Sequence, residues 1–308
     1  MNILLLGANG QLGRSFVEDG GLARRGTLIA ATRDGARFDG GPAEIADLSQ
    51  AQSLRLLLDR LRPSLIVNTA AYTAVDRAEN EEALATRING EAVGVLGEWA
   101  AAHDALVVHY STDYVFDGSA STPYAFDAPT APIGAYGRSK LAGERALAQS
   151  GAAHLLLRTA WVYAAHGQNF LRTMLRLAAE RDELRVVADQ QGSPTDTGLI
   201  VRATLAALDS WSAATPDRRQ SLGGAYHLVA GGHTTWHGFA TAIMEEAQAR
   251  GLLSRAPRIA AITTAQFPTP AKRPAWSVLD NSGFQRQFGY PLPDWRQGLR
   301  HVIGTLTD

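Results

Sequence analysis

A tyrosine and a lysine four residues apart, Tyr136 and Lys140, open the stretch Tyr136-Gly137-Arg138-Ser139-Lys140, which has the pattern of a helix start. Residues at that spacing share one helix face, so a phenol and an ammonium can act there as a unit. Reducing a carbonyl with hydride requires a proton for the developing alkoxide. A free tyrosine has a pKa near ~10, and an adjacent ammonium lowers it, making the phenol a better acid for this step. A second segment, Tyr110-Ser111-Thr112-Asp113-Tyr114-Val115-Phe116, ends an apolar run. The Thr112 hydroxyl at such a strand end can hold a carbonyl oxygen and share in stabilising its charge. Tyr-x-x-x-Lys alone is common by chance, and Thr112 alone reads equally as a hydroxyl capping a turn. Their occurrence together, in order and behind a glycine-rich junction, points to carbonyl chemistry.

That junction is Gly7-Ala8-Asn9-Gly10-Gln11-Leu12-Gly13, between a first apolar run and a first helix pattern. Gly7 permits a tight turn, Gly10 lets backbone approach a pyrophosphate, and Gly13 lets helix and strand pack closely. The helix N-terminus then offers free amides to phosphates. In this context the trio predicts dinucleotide binding. Arg33, just after the second apolar run, suits a ribose 2′-phosphate and so favours NADPH. It reads otherwise as a solvated loop arginine, and Asp34 and Asp39 close by leave NADH open. Asp47-Leu48 is a candidate contact for the adenine edge, or else a helix N-terminal turn leading into Ser49.

The elements that must position these residues follow from periodicity. Apolar runs at 2–6, 27–31, 64–68, 105–110 and 154–158 alternate with helix patterns at 11–19, 50–61, 79–103 and 136–150. This alternation is the signature of βαβ units and a parallel sheet. A helix pattern at 169–181 and a strand at 184–188 follow. Beyond about residue 189 come a turn cluster at 192–195, helix patterns at 197–211 and 236–250, a short strand at 225–229 and a proline-rich stretch. The fold expected is α/β, a Rossmann-type doubly wound parallel sheet with a smaller C-terminal substrate lobe. The cofactor domain is expected over 1–160, its sheet completed by segments of 161–225, and the lobe over most of 161–308.

Composition removes other classes. The chain has 308 residues, 45% hydrophobic and 19% charged, enough for a full core. A net charge of -1 offers no basic face for nucleic acid. No apolar run reaches membrane-spanning length, and the apolar N-terminus has no basic segment before it, reading as a strand and not a signal peptide. The sequence has no cysteine, which excludes disulfides and thiolate chemistry. The eight histidines form no metal or triad signature; His233 and His237 are four apart but lack an evident third ligand. A soluble cytoplasmic protein is the expectation.

With these residues in view, the sequence resembles the extended short-chain dehydrogenase/reductase family, with its Gly-x-x-Gly-x-x-Gly loop and Ser/Thr–Tyr–Lys triad. Over nearly its whole length it is most similar to the branch acting on dTDP-linked 4-keto-6-deoxy sugars. The segments that carry this are the glycine loop, Asn68-Thr69-Ala70-Ala71-Tyr72-Thr73-Ala74-Val75-Asp76, the run from Ser111 to Gly118, and Tyr136 through Glu144. Arg158-Thr159-Ala160-Trp161-Val162-Tyr163, Asp189-Gln190-Gln191-Gly192-Ser193-Pro194-Thr195 and Arg273-Pro274 add to it. The runs Ala71 to Asp76 and Asp189 to Thr195 are far more specific than the triad.

The resemblance implies NADPH-dependent reduction of the C4 ketone of dTDP-6-deoxy-L-lyxo-4-hexulose to dTDP-L-rhamnose, the last step of dTDP-rhamnose biosynthesis. It implies Tyr136 as proton donor, Lys140 as the residue that lowers its pKa and binds the nicotinamide ribose, and Thr112 as the residue orienting the ketone. Asp113, Tyr114 and Trp161 are expected in the sugar pocket, with Val75 and Asp76 near it. Ala70, Ala71 and Tyr72 are expected beside the cofactor. Asn89 reads either as a structural asparagine behind the lysine or as part of a solvated helix face. Some relatives dimerise around magnesium held by glutamates; two of those positions are Ser15 and Gly198 here, and 295–307 holds no acidic residue. Hard cations prefer carboxylates, so no metal site, no magnesium requirement and a monomer or a dimer not bridged by metal are expected. Trp276 is bulky for its position and is open to two readings, pocket wall or lobe packing. Another nucleotide-sugar epimerase or dehydratase shares the triad, but a 4,6-dehydratase would carry more acid beside Thr112 than Asp113 alone. A non-catalytic NADP-binding regulatory subunit is the remaining alternative, against which the complete triad argues.

Overall fold

The computed structural model describes residues 1–306; 307 and 308, the end of the expected lobe, lie outside the described residues. Strand β1 (Asn2–Leu6) shows how the sheet is built. Its alternate side chains face opposite ways: Ile3 and Leu5 enter one core, Leu4 and Leu6 the other. Both faces are therefore covered, as a parallel sheet requires. The chain continues through β2 (Thr27–Thr32), β3 (Glu44–Ile45), β4 (Leu65–Asn68), β5 (Leu106–Thr112) and β6 (His154–Thr159). The later strands are β7 (Val162–Tyr163), β8 (Glu183–Val187), β9 (Gln191–Gly192), β10 (Thr195–Asp196), β11 (Gly224–His227), β12 (Thr234–Thr235) and β13 (Arg258–Ile262). Seven of them form one sheet in the order β11-β6-β5-β4-β1-β2-β3, with every pairing parallel. The order reverses at β1, so the crevice for a ligand opens at the carboxyl ends of β1 and β4.

Helices α1 (Gln11–Asp19), α2 (Gly21–Arg25) and α3 (Ala51–Leu61) connect the first strands. After a short α4 (Val75–Ala78), the expected helix over 79–103 runs without a gap over 82–102 as α5 (Glu82–Thr86), a π-helical turn at Arg87–Glu91 and α6 (Ala92–Ala102), the π turn being the departure. The reason is Asn89, whose amide leaves the helix surface to bond the backbone of Tyr72 on both N–H and C=O, at 2.8 and 3.0 Å. Helix α7 (Ala135–Gln149) carries the Tyr–Lys pair. Helices α8 (Phe170–Glu180), α9 (Thr197–Ala213), α10 (Pro216–Leu222), α11 (Trp236–Ala249), α12 (Ser282–Phe288) and α13 (Trp295–Gly304) complete the chain. Short ladders β7–β10, β9–β12 and β8–β13 tie these later segments together. The seventh strand of the main sheet, β11, thus comes from the second half of the chain. No described helix is long and apolar enough to cross a membrane.

Candidate active site

Helix α7 presents Tyr136, Lys140 and Glu144 at successive four-residue steps, on one face. Strand β5 lies beneath, and its alternation aims Leu106, Val108 and Tyr110 into one core while His109 and Ser111 face α7. Lys140 is buried, and its Nζ donates to the Tyr110 carbonyl at 2.6 Å and lies 3.3 Å from His109 Nε2. Burial pulls it down to about 8. One turn on, Glu144 accepts from Ser111 Oγ at 2.5 Å and pairs with Arg158 at 2.8 Å in a nearly dry cluster.

Tyr136 is half-buried, and desolvation of its hydroxyl end pushes the phenol up to about 12, with the Asp113 charge adding to the rise and the Thr112 hydroxyl opposing it. The sequence led us to expect the lysine ammonium to pull this value down. In the structure Lys140 instead bonds the Tyr110 carbonyl. Thr112 donates its hydroxyl to Asp113 Oδ1 at 2.9 Å, so holding a ketone oxygen requires that hydroxyl to turn from the carboxylate. Asp113 is itself buried, and burial pushes it up to about 6. Its Oδ2 accepts no hydrogen bond; the nearby Ser277 hydroxyl is given to the Gln191 carbonyl. That Oδ2 has essentially no exposed surface, so it meets a ligand only if the carboxylate turns toward the cavity.

These residues stand at one end of a cavity of about 830 Å³ that runs to the glycine loop and the end of β2. Gly7, Asn9, Gly10, Gln11, Leu12, Arg33, Asp47, Leu48, Ala70, Ala71, Val75, Thr112, Asp113, Tyr114, Tyr136, Lys140 and Trp161 line it, so one cavity gathers most of the expected site residues. Gly7 has φ +80°, and a Cβ there would sit 2.7 Å from the Ala70 nitrogen. Gly13 lies behind the wall, where a Cβ would come within van der Waals overlap of the Gly7 carbonyl, so its part is helix–strand packing. The α1 N-terminus begins at Gly10 without any side-chain cap or acid in its first turn, leaving its amides to face a phosphate. Asn9 clasps the next loop, donating to the Ala36 carbonyl at 2.7 Å and accepting from the Phe38 amide at 2.9 Å. Arg33 is exposed and forms no ion pair among the described residues, whereas Asp34 is engaged by Thr32 and the Ala36 amide. Asp47 lines the cavity and also caps a turn by accepting from the Ser49 amide and hydroxyl.

Tyr72 does not join the lining: its hydroxyl donates to Glu81 at 2.7 Å and its ring packs with Ala78, Ala85 and Ala135. Asn89 is buried and reaches Ser139 Oγ at 3.0 Å as well as Tyr72, which makes it a structural asparagine beside the lysine turn. Asp76 is paired with Arg273 at 2.9 Å, next to Tyr114. Trp161, at φ +47°, stacks on Trp236 with centroids 3.5 Å apart, and both indoles line the cavity. Trp276 donates to the Thr122 carbonyl at 2.9 Å and packs on His233, outside this cavity.

Sequence reasoning missed Trp236, Thr159, Gly167 and Gln168, all in the cavity wall. Only the turn around Gly167 carried a signal, the polar run His166-Gly167-Gln168-Asn169. It is held over the glycine loop by His166 on the Gln11 carbonyl at 2.9 Å and by Asn169 on the Gln11 side chain at 2.8 Å.

The family model described as RmlD substrate binding domain matches residues 1–307. A dTDP-4-dehydrorhamnose reductase of Burkholderia thailandensis is 47% identical, covering 99% of each chain. Among solved structures, a dTDP-4-dehydrorhamnose reductase of Clostridium acetobutylicum superposes with a TM-score of 0.87 at 32% identity, over 100% of each chain. One from Bacillus anthracis, in complex with NADP, gives 0.84 at 30% identity over 99% of each. With a full-length family match, and relatives this similar along a chain whose cavity joins a dinucleotide loop to a Thr–Tyr–Lys set, this protein belongs to the RmlD family, that of the dTDP-4-dehydrorhamnose reductases.

Proposed function

We propose that this chain reduces the C4 ketone of dTDP-6-deoxy-L-lyxo-4-hexulose with NADPH, giving dTDP-L-rhamnose. The observation that carries this reading is the single cavity joining the uncapped α1 N-terminus and Arg33 to Thr112, Tyr136 and Lys140. A Cβ-free wall at Gly10 and the small Ala70 and Ala71 fit a dinucleotide laid along it. When bound there, NADPH supplies the hydride for the carbonyl carbon. Arg33 would meet the 2′-phosphate, the α1 amides the pyrophosphate, and Lys140 the nicotinamide ribose.

Tyr136 gives its phenolic proton to the C4 oxygen as that oxygen gains charge. The raised pKa keeps the phenol protonated through neutral pH, which is the form the step needs. Thr112 turns its hydroxyl to the same oxygen, and the Asp113 carboxylate, turned toward the cavity, accepts from a sugar hydroxyl. Trp161, backed by Trp236, offers a flat face to the sugar C–H groups. The Asp76–Arg273 pair and Val75 border the sugar beside Tyr114. Residues 1–160 with β11 act as the cofactor domain and most of 161–308 as the substrate lobe. The protein works in the cytoplasm, as a monomer or as a dimer without a bridging metal.

The experiment is turnover of purified protein with NADPH and dTDP-6-deoxy-L-lyxo-4-hexulose, beside Tyr136→Phe. Rhamnosyl nucleotide formed with cofactor oxidation, reduced at least about 100-fold in the variant while NADPH binding persists, is expected. Tight NADPH binding with no turnover by the unaltered protein sinks the assignment and favours a regulatory role.

A further inference from the structure

Asn68 and His109 are both 1% exposed, and the reaction described above uses neither. They face one another across the β4–β5 pairing. The Ala70 amide donates to Asn68 Oδ1 at 3.1 Å. That bond fixes the side-chain amide, so the atom 3.1 Å from His109 Nδ1 is the Asn68 NH₂ group, which can only donate. His109 Nδ1 must therefore accept and carries no proton. Burial, with the Lys140 charge second, pushes the imidazole well below its usual range, so the ring is neutral at neutral pH. A neutral ring with a bare Nδ1 has its hydrogen on Nε2. That Nε2 lies 3.3 Å from Lys140 Nζ.

An ammonium has three protons and no lone pair, so it would meet this Nε2–H donor to donor. A neutral amine fits: its lone pair takes the Nε2–H, one hydrogen goes to the Tyr110 carbonyl at 2.6 Å, and one remains. We infer that His109, locked by Asn68 and the Ala70 amide as the Nε2–H tautomer, is a positioning residue that favours the amine form of Lys140 over the ammonium. The other groups facing Lys140 do not reverse this. Glu144, on the same helix, favours the ammonium, but Arg158 from β6 neutralises it with hydrogen bonds from Nε at 3.0 Å and Nη2 at 2.8 Å. Tyr136 is held protonated on the cleft side, and Asp113 beyond it is hydrogen-bonded to Thr112. His154, which acts on His109, is bonded to the Ala152 carbonyl. The fall of Lys140 to about 8 by burial has the same direction.

The inference deepens the reductase reading, yet its test reads the full-length protein without turnover, so the two can fail separately. Long-range ¹H–¹⁵N spectra of histidine-labelled protein at pH 7 should show one ring, absent from His109→Gln, as the Nε2–H tautomer. An Nδ1–H form at His109 overturns the idea. The chain has two lysines, Lys140 and the exposed Lys272, so labelled lysine gives two side-chain signals with an internal reference. Lys140 should titrate near 8, and in His109→Gln, whose side-chain oxygen can accept from an ammonium, its midpoint should rise by about one unit or more. A midpoint that stays or falls overturns the inference. If that variant does not fold, the Lys140 titration of the unaltered protein decides: a midpoint at or above the ordinary lysine value overturns the inference.

Discussion

Asp113 concentrates a conflict between stability and use. Its carboxyl rises from 3.8 to about 6 on folding because burial penalises the charge. The folded protein then binds that proton more tightly than the unfolded chain, so ionising Asp113 lowers stability as pH climbs from about 4 through about 6, and the penalty is complete above that. Asp113→Asn should therefore gain about 1–3 kcal/mol at pH 7.5, and less at pH 5, in urea unfolding. The same change should raise KM for the sugar nucleotide, because Asp113 lines the cavity beside Thr112 and Tyr136 and its charge is lost. A variant less stable than the parent at pH 7.5 would refute this account of the site. At the cavity's other end Arg33 forms no ion pair among the described residues, with Asp34 engaged by Thr32 and the Ala36 amide. Arg33→Ala should weaken NADPH roughly ten- to a hundredfold, the loss of charge-assisted hydrogen bonds, and leave NADH nearly unchanged in paired titrations. Equal losses for both cofactors would return Arg33 to the solvated loop arginine.

Among the elements, the join of α7 to β5 and β6 fixes the geometry of the reacting groups. Glu144 sits one turn beyond Lys140 and gathers Ser111 and Arg158, whose side chain also reaches the Phe126 carbonyl at 2.8 Å. Arg158→Met leaves that carboxylate buried without its partner. The expected cost is about 3–5 kcal/mol, read as a lower denaturant midpoint with an unchanged slope. A loss below about 1 kcal/mol would show the pair to be solvated in solution. Elements of this kind were partly legible in the sequence. The ranges 2–6 and 11–19 matched residue for residue, since alternation and a glycine-led helix start are local signals. The helix over 79–103 was legible in extent but not in its π-helical turn, which comes from Asn89 meeting Tyr72, seventeen residues away. Trp236 and the loop at 167–168 escaped for the same reason: their place in the wall depends on stacking and hydrogen bonds to Trp161 and Gln11, distant in sequence. The Tyr–Lys step was legible as a pair, but not what the lysine touches, because His109 reaches it from another strand.

For the whole molecule the open matter is assembly. Helix α1 meets α9 through Ser15 Oγ, which donates to the Gln11 carbonyl at 3.0 Å and lies 2.8 Å from the Thr197 hydroxyl, from which it can accept. Ser15 and Gly198 occupy positions where the sequence resemblance led to carboxylates, and α13 carries no acid from Trp295 to Gly304. Two neutral hydroxyls already satisfied by each other make a poor ligand set for a hard cation, which binds anionic oxygen far better. At positions 15 and 198 the subunit therefore offers no carboxylate to a bridging magnesium ion. Sedimentation velocity in magnesium chloride and in EDTA should give the same coefficient, and turnover should agree within about twofold. Should EDTA lower the coefficient, or abolish turnover that magnesium restores, a cation site must exist at residues other than positions 15 and 198 and α13. Substituting Ser15→Glu and Gly198→Glu together separates the two cases: a coefficient that becomes magnesium-dependent only in the double variant places the missing ability at these two positions.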